Sequence, residues 1–305
     1  MNGSVPGGGA GDPLARGGKS DRPIESVGAP AVATIDRGAA RPPRWAPTAA
    51  TTIGSVHVRD GLPLQDAVLT WADADRTVIA VADGHGHHAH FRSDVGASLA
   101  VATAVEEVRR VLDELTDVEL AADVVRRACA AIVSSWTARV REHVAGHPFT
   151  EEQRAAGAGA DPLRPYGSTL LVLAVSGDVL VVAQIGDGDA VLVDSRGEAF
   201  RPLPDDPFHD GVHTNSLCQN DPLASLHLAV HDTAVEDISL GFLCTDGFGK
   251  SRASSDWWQQ TGQQLWQYAG EHGLAWVSEH LPGWLAEPAR VGGDDTTLAL
   301  VVRNR

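Results

Sequence analysis

From Ser168 to Asp194 the chain is a run of short β-branched and aliphatic stretches cut by tight turns, and this stretch restricts the possible folds most. Ser168 to Ile185 reads as two strands joined at Gly177-Asp178, the two-residue connection that closes an antiparallel hairpin. Val191 to Asp194 supplies a third strand, turning at Ser195-Arg196-Gly197. Three adjacent strands with tight turns predict an antiparallel meander, unlike the strand-helix-strand alternation of a nucleotide-binding sheet.

The rest of the chain extends this pattern. Ala67 to Trp71 and Thr77 to Ala82 read as a hairpin about the turn-rich Ala72-Asp73-Ala74-Asp75, running into Asp83-Gly84-His85-Gly86. Val95, Leu99, Ala102, Val105, Val108, Leu112 and Leu115 recur at spacings of three and four, as on an amphipathic helix. Leu120, Val124, Ala128, Ile132, Trp136 and Val140 mark a second helix, stopped at Gly146-His147-Pro148. Residues 201 to 224 form a Pro/Asp/His-rich excursion, Leu240 to Cys244 a strand, Trp257 to Leu285 a helical region broken near Gly270 to Gly273, and Thr297 to Val302 a closing strand. Residues 1–48, dominated by Gly, Ala, Pro, Arg and Asp, lack any sustained period and are expected to be a disordered tail before a domain at 49–305. The expected fold class is α+β, with antiparallel sheets and helices packed outside.

With 24 Lys and Arg against 40 Asp and Glu, the formal charge of -16 disfavours nucleic acid and anionic membrane as partners, and no basic cluster offsets it. Cys129, Cys218 and Cys244 are far apart, so neither a disulfide framework nor a zinc knuckle is expected. Aliphatic runs such as Leu170 to Val175 fall well short of the roughly 20 residues that span a bilayer, and the N-terminus lacks a signal pattern, so a cytoplasmic location is expected.

Acidic residues recur at strand ends: Asp66 before a strand, Asp83 and Asp246 after strands, and Asp294 just before another. Hard cations such as Mg²⁺ and Mn²⁺ take oxygen ligands in octahedral arrays, and carboxylates at strand ends suit them. Each Asp-Gly alone is also a common turn. His85, His87, His88 and His90 offer zinc-type ligands as an alternative, although no helix-spaced HExxH or nearby cysteine joins them.

Six motifs in order give the chain a resemblance. Gln65-Asp66-Ala67, Val81-Ala82-Asp83-Gly84-His85-Gly86, Gly167-Ser168-Thr169, Ile185-Gly186-Asp187, Cys244-Thr245-Asp246-Gly247 and Gly293-Asp294-Asp295-Thr296-Thr297 resemble the successive motifs of metal-dependent type 2C protein phosphatases, bacterial members included. The resemblance spans about residues 54–302. It implies a four-layer α/β/β/α sandwich of two antiparallel sheets flanked by helices. It also implies hydrolysis of phosphoserine and phosphothreonine in a protein substrate, opposing a Ser/Thr kinase, by a hydroxide bridging two Mn²⁺ or Mg²⁺ ions, with room for a third. On that resemblance Asp83 bridges the ions and Gly84 offers its carbonyl, Asp246 and Asp294 hold the second ion, Asp66 acts through bound water, and Asp187 matches a third-ion ligand. His85 is the implied general acid, and Ser216-Leu217-Cys218 falls where bacterial relatives carry a flap.

The chain departs from the family pattern in several places. Gln65 stands where Glu is usual, and Gly61 where many members place a phosphate-binding arginine, leaving His57, Arg59 or Arg92 as substitutes. Asp189 follows Gly188 where many relatives have Ser-Arg, and Asp295 stands where Asn is common and could compete with Asp294 as a ligand. Two other readings use the same residues: a pseudophosphatase acting as a binding scaffold, and a phosphatase of a small phosphorylated molecule.

Overall fold

A computed structural model of the chain describes residues 34–36, 42–204 and 214–304. In chain order these form β1 (Thr34–Asp36), β2 (Trp45–Thr52), α1 (Ser55–Asp60), β3 (Ala67–Ala72), β4 (Arg76–Ala82), α2 (Ser93–Val111), α3 (Val118–Gly146) and the single turn α4 (Glu151–Gln153). There follow β5 (Leu170–Ser176), β6 (Val179–Ile185), β7 (Asp189–Asp194), β8 (Ala199–Phe200), β9 (His227–Asp232), β10 (Ile238–Cys244), α5 (Asp246–Lys250), α6 (Trp257–His272), α7 (Leu274–Gly292) and β11 (Thr296–Arg303). The strands make two sheets, in the orders β1-β3-β4-β5-β6-β9 and β2-β11-β10-β7-β8. Every pairing is antiparallel except that of β1 with β3.

Both faces of the central strands are buried, so they read as continuous apolar runs. Successive side chains point to opposite faces of a strand. In β4, Val78, Ala80 and Ala82 join the core beneath α2 and α3, while Ile79 and Val81 enter the core between the sheets. In β5 the same split separates Leu170, Val172 and Ala174 from Leu171, Leu173 and Val175. On the second sheet Leu240, Phe242, Leu298 and Leu300 face Leu265, Val277, Leu281 and Leu285 of α6 and α7. Three apolar layers between four structural layers give the α/β/β/α sandwich.

The helices follow their stripes. Asp117 caps α3 by accepting from the Glu119 N–H at 2.8 Å. Ala97, Ala100 and Ala104 let α2 lie close on the first sheet, and buried Trp136 of α3 donates from Nε1 to the Gly96 carbonyl at 3.0 Å. The hairpin turn at Ala72 to Asp75 is tied by Asp73 Oδ1, which accepts from the Arg76 N–H at 2.9 Å. Helix α6 ends at Gly273, whose φ of 83° breaks the helical region where expected.

Two expectations need correction. β7 does not continue a meander with β6: it pairs with β10 in the other sheet, and β6 pairs with β9. The link Gly186-Asp187-Gly188 makes the crossing, with φ of 95° and 103° at its glycines, a left-handed backbone that only glycine adopts readily. The expected boundary at residue 48 falls inside β2, which pairs along its whole length with β11. The expectation for residues 1–33 and 37–41 lies outside the described residues. Among the described residues no helix is long and apolar enough to cross a membrane.

Candidate metal centre

Strand register brings the acidic residues to one end of the sandwich. Ala67 faces Ala82, so Asp66 and Asp83 leave the sheet together. Cys244 faces Leu298, which sets Asp246 and Asp294 side by side on the second sheet. Leu170 faces Ile185, which places the crossing that carries Asp187 at the same end. Asp83, Asp187 and Asp246, from three separate segments, have ligand oxygens all within 4.8 Å of one another.

Backbone contacts hold this geometry. Thr169 Oγ1 accepts from the Asp83 N–H at 3.0 Å, the Thr169 N–H donates to the Asp83 carbonyl at 2.9 Å, and the His85 N–H donates to the Gly167 carbonyl at 3.1 Å. A Cβ at Gly84 would lie 2.6 Å from the Ser93 carbonyl oxygen, and one at Gly247 2.0 Å from that of Asp295. The two Asp-Gly pairs are therefore fitted corners as well as turns.

Asp66 lies beneath the group and ties the two sheets together. Its Oδ2 accepts from Thr245 Oγ1 and Thr297 Oγ1, each at 2.7 Å. Burial and the neighbouring charge of Asp295 push its carboxyl well above the ordinary range, although the two hydroxyls oppose this. Asp83 is raised in the same way by burial and by Asp66, Asp246, Asp294 and Asp187. Burial and Asp246 raise Asp187, against the hydroxyl of Thr214, which donates to its Oδ2 at 2.7 Å. Asp294 is half-exposed and raised by burial and Asp246. Carboxylates gathered so that each disfavours ionisation of the next would be relieved by a cation among them. Asp246 Oδ1 is buried and accepts no hydrogen bond from the described residues, which leaves it open as a ligand oxygen.

The other sequence candidates separate. Asp295 does not compete with Asp294 as a ligand: its oxygens accept from the Gly54 N–H at 2.7 Å and the Gln65 N–H at 2.6 Å. It also faces His57, whose Nδ1 lies 2.9 Å from Oδ1 but off the line of a hydrogen bond, and this carboxylate holds the imidazole above its usual pKa. Arg59 pairs with its exposed neighbour Asp60 at 2.7 Å. Arg92 donates to the His147 carbonyl and to Tyr166 Oη, both at 2.7 Å, and lies 4.6 Å over the Phe149 ring. Neither guanidinium contacts the acidic group. His85 lies against His90, ring centres 4.9 Å apart, and burial with that neighbour lowers it to about 4, so its ring is neutral at physiological pH. The one cluster of potential metal ligands found among the described residues contains no histidine, which leaves the zinc alternative without support. Ser216 to Cys218 are pinned to the start of β5, with the Leu217 N–H donating to the Ser168 carbonyl at 2.9 Å and the Leu217 side chain in the core.

Lys250 was not singled out in the sequence, although it stands four residues after Asp246 on α5 and so shares its face. Its ammonium donates to Asp246 Oδ2 and lies 3.9 Å from Asp187 Oδ2. Beside it opens a cleft of about 460 Å³ whose lining includes Asp187, Asp246, Lys250, Arg201, His227 and Trp257.

The family model described as protein phosphatase 2C matches residues 53–286 of the 305. This chain belongs to the protein phosphatase 2C family. Solved structures share the fold at low identity. PppA, "a key regulatory component of T6SS in Pseudomonas aeruginosa", is 20% identical with a TM-score of 0.54, covering 85% of this chain and 98% of PppA. The catalytic domain of the serine/threonine phosphatase PstP, solved with 2 manganese ions, is 20% identical with a TM-score of 0.53, over 85% of this chain and 97% of that one. The S. agalactiae serine/threonine phosphatase is 17% identical with a TM-score of 0.55, over 85% and 100%. No curated protein matches the sequence significantly. As a protein phosphatase 2C member the chain has a phosphatase fold, with its acidic residues gathered at one end.

Proposed function

We propose that this protein is a metal-dependent Ser/Thr protein phosphatase whose centre is built on Asp83, Asp187 and Asp246, with Asp66 and Asp294 beside them. The observation that carries the reading is that three carboxylates from distant segments converge within 4.8 Å, one of them with a buried oxygen that has no hydrogen-bond partner among the described residues. Mn²⁺ and Mg²⁺ suit a donor set made wholly of hard oxygens, and the manganese in PstP favours the same assignment here. Divalent cations bound there supply Lewis acidity, lowering the pKa of water and offsetting charge on phosphoryl oxygens.

The chain's own residues do the rest. Asp83, Asp187, Asp246 and Asp294 would hold the ions, and the Gly84 carbonyl would add an oxygen ligand. Asp66, fixed by two threonine hydroxyls, supports the group from below. His85 is neutral, so its part in proton transfer is hydrogen-bond donation from an imidazole N–H towards the leaving oxygen, rather than release of an imidazolium proton. Phosphoserine and phosphothreonine proteins are the substrates, in opposition to a Ser/Thr kinase, and the location is the cytoplasm.

Hydrolysis of phosphothreonine peptides tests the reading. Turnover should require Mn²⁺ or Mg²⁺, stop with EDTA, and nearly vanish in Asp83→Asn and Asp246→Asn while circular dichroism stays unchanged. Normal rates in those variants, or full turnover in EDTA, would refute the assignment.

A further inference from the structure

The acidic group carries a positive charge of its own. Helix α5 places Lys250 four residues after Asp246, and on that helix alone the pair would be an ordinary surface contact. Asp187 changes that reading, because it arrives on the crossing between sheets and lies 3.9 Å from the same ammonium. Against burial, which lowers it, the Lys250 pKa is raised by Asp246, Asp187 and Asp83, so all three members of the group act on it. Asp246 then has two differently employed oxygens: Oδ2 accepts from Lys250, while Oδ1 is buried without a partner among the described residues.

Resting on the metal-dependent reading above, we infer that Lys250 is a built-in cation on the Asp187–Asp246 edge, which weakens binding of a further divalent ion there. An ammonium that bonds Asp246 Oδ2 and lies 3.9 Å from Asp187 Oδ2 would repel a divalent ion held by the same two carboxylates, and near a protein surface that repulsion exceeds the energy of a tenfold change in binding. Ions held through Asp246 Oδ1, the oxygen that does not bond Lys250, would be spared this repulsion. Because the Lys250 side chain is 57% exposed, it can swing out when the ion concentration is high. Occupancy of the edge thereby depends on the supply of metal, while the inner ligands stay filled.

Mn²⁺ binding to the full-length protein, followed by calorimetry and by electron paramagnetic resonance of the free ion, tests this without reference to turnover. Lys250→Gln should bind its weakest Mn²⁺ at least about tenfold more tightly than wild type, or bind one additional ion. Lys250→Arg should match wild type, and Asp187→Asn added to Lys250→Gln should abolish the gain. Lys250→Met serves as a second neutral variant, with thermal unfolding as the check on folding. Identical isotherms for wild type and both neutral variants would overturn the inference while leaving the metal centre standing. If wild type binds no Mn²⁺, both readings fall. Unchanged Mn²⁺ binding with weakened inhibition by inorganic phosphate would place the ammonium on the substrate and equally overturn the inference.

Discussion

Replacing Asp83 with asparagine should make the metal-free protein more stable while destroying its function. Asp83 stands within 4.8 Å of ligand oxygens of Asp187 and Asp246. Two like unit charges at such a separation repel by about 3.5 kcal/mol at an effective dielectric of roughly 20. Lys250 offsets part of the charge on Asp246, and partial protonation of the group relieves more. A net gain of about 2 kcal/mol remains, which corresponds to a rise in melting temperature of roughly 4 °C or more. The assay is differential scanning fluorimetry at neutral pH, in EDTA and again with saturating Mn²⁺. In EDTA the variant should melt above wild type, and with Mn²⁺ wild type should gain most and overtake it.

The pH dependence carries the same sign. Burial and four neighbouring aspartates raise the folded-state pKa of Asp83 above its unfolded value. Between those two values the folded state binds more protons than the unfolded chain, so the apoprotein gains stability as pH falls through the raised pKa towards the unfolded value. Asp83→Asn should flatten that slope. If the variant melts at or below wild type in EDTA, the carboxylates do not repel one another as described.

Three further outcomes follow from particular contacts. Trp136→Ala should cost about 3–5 kcal/mol in urea unfolding, because a wholly buried ring and its hydrogen bond to Gly96 are both lost. His85→Gln should lower kcat by about 10² and not by 10⁴, since a neutral imidazole contributes hydrogen bonding without a labile imidazolium proton. Gly247→Ala should sharply weaken Mn²⁺ binding, read by calorimetry, because its Cβ would meet the Asp295 carbonyl at 2.0 Å and push Asp246 out of place.

The layers and the positions of the aspartates were legible because strand and helix periods carry over directly into buried faces. The hairpin of β3 and β4 and most of the stripes of α2 and α3 stand where their spacing puts them, except that Leu120 is exposed and that Leu112 and Leu115 lie past the end of α2. The partner of β7 is not legible in the sequence, because a strand buried on both faces gives no sign of which sheet it joins. β2, with Pro47 and a run of alanines and threonines, has the composition of a tail. It lies at the edge of its sheet, where a proline is tolerated. β9 is likewise a half-exposed edge strand with little apolar signal. At the site, the order of Asp-Gly motifs carried the acidic residues. The contacts of Lys250 with Asp187 and of Asp295 with Gly54 depend on chain segments that meet only on folding.

The central claim is that distant aspartates meet to hold divalent ions, and anomalous diffraction from crystals soaked in Mn²⁺ tests it most directly. Manganese peaks liganded by Asp83 and by Asp246 Oδ1 are expected, with Asp66 still bonded to Thr245 and Thr297. A map without manganese among these carboxylates, in crystals where they are well ordered, would contradict it.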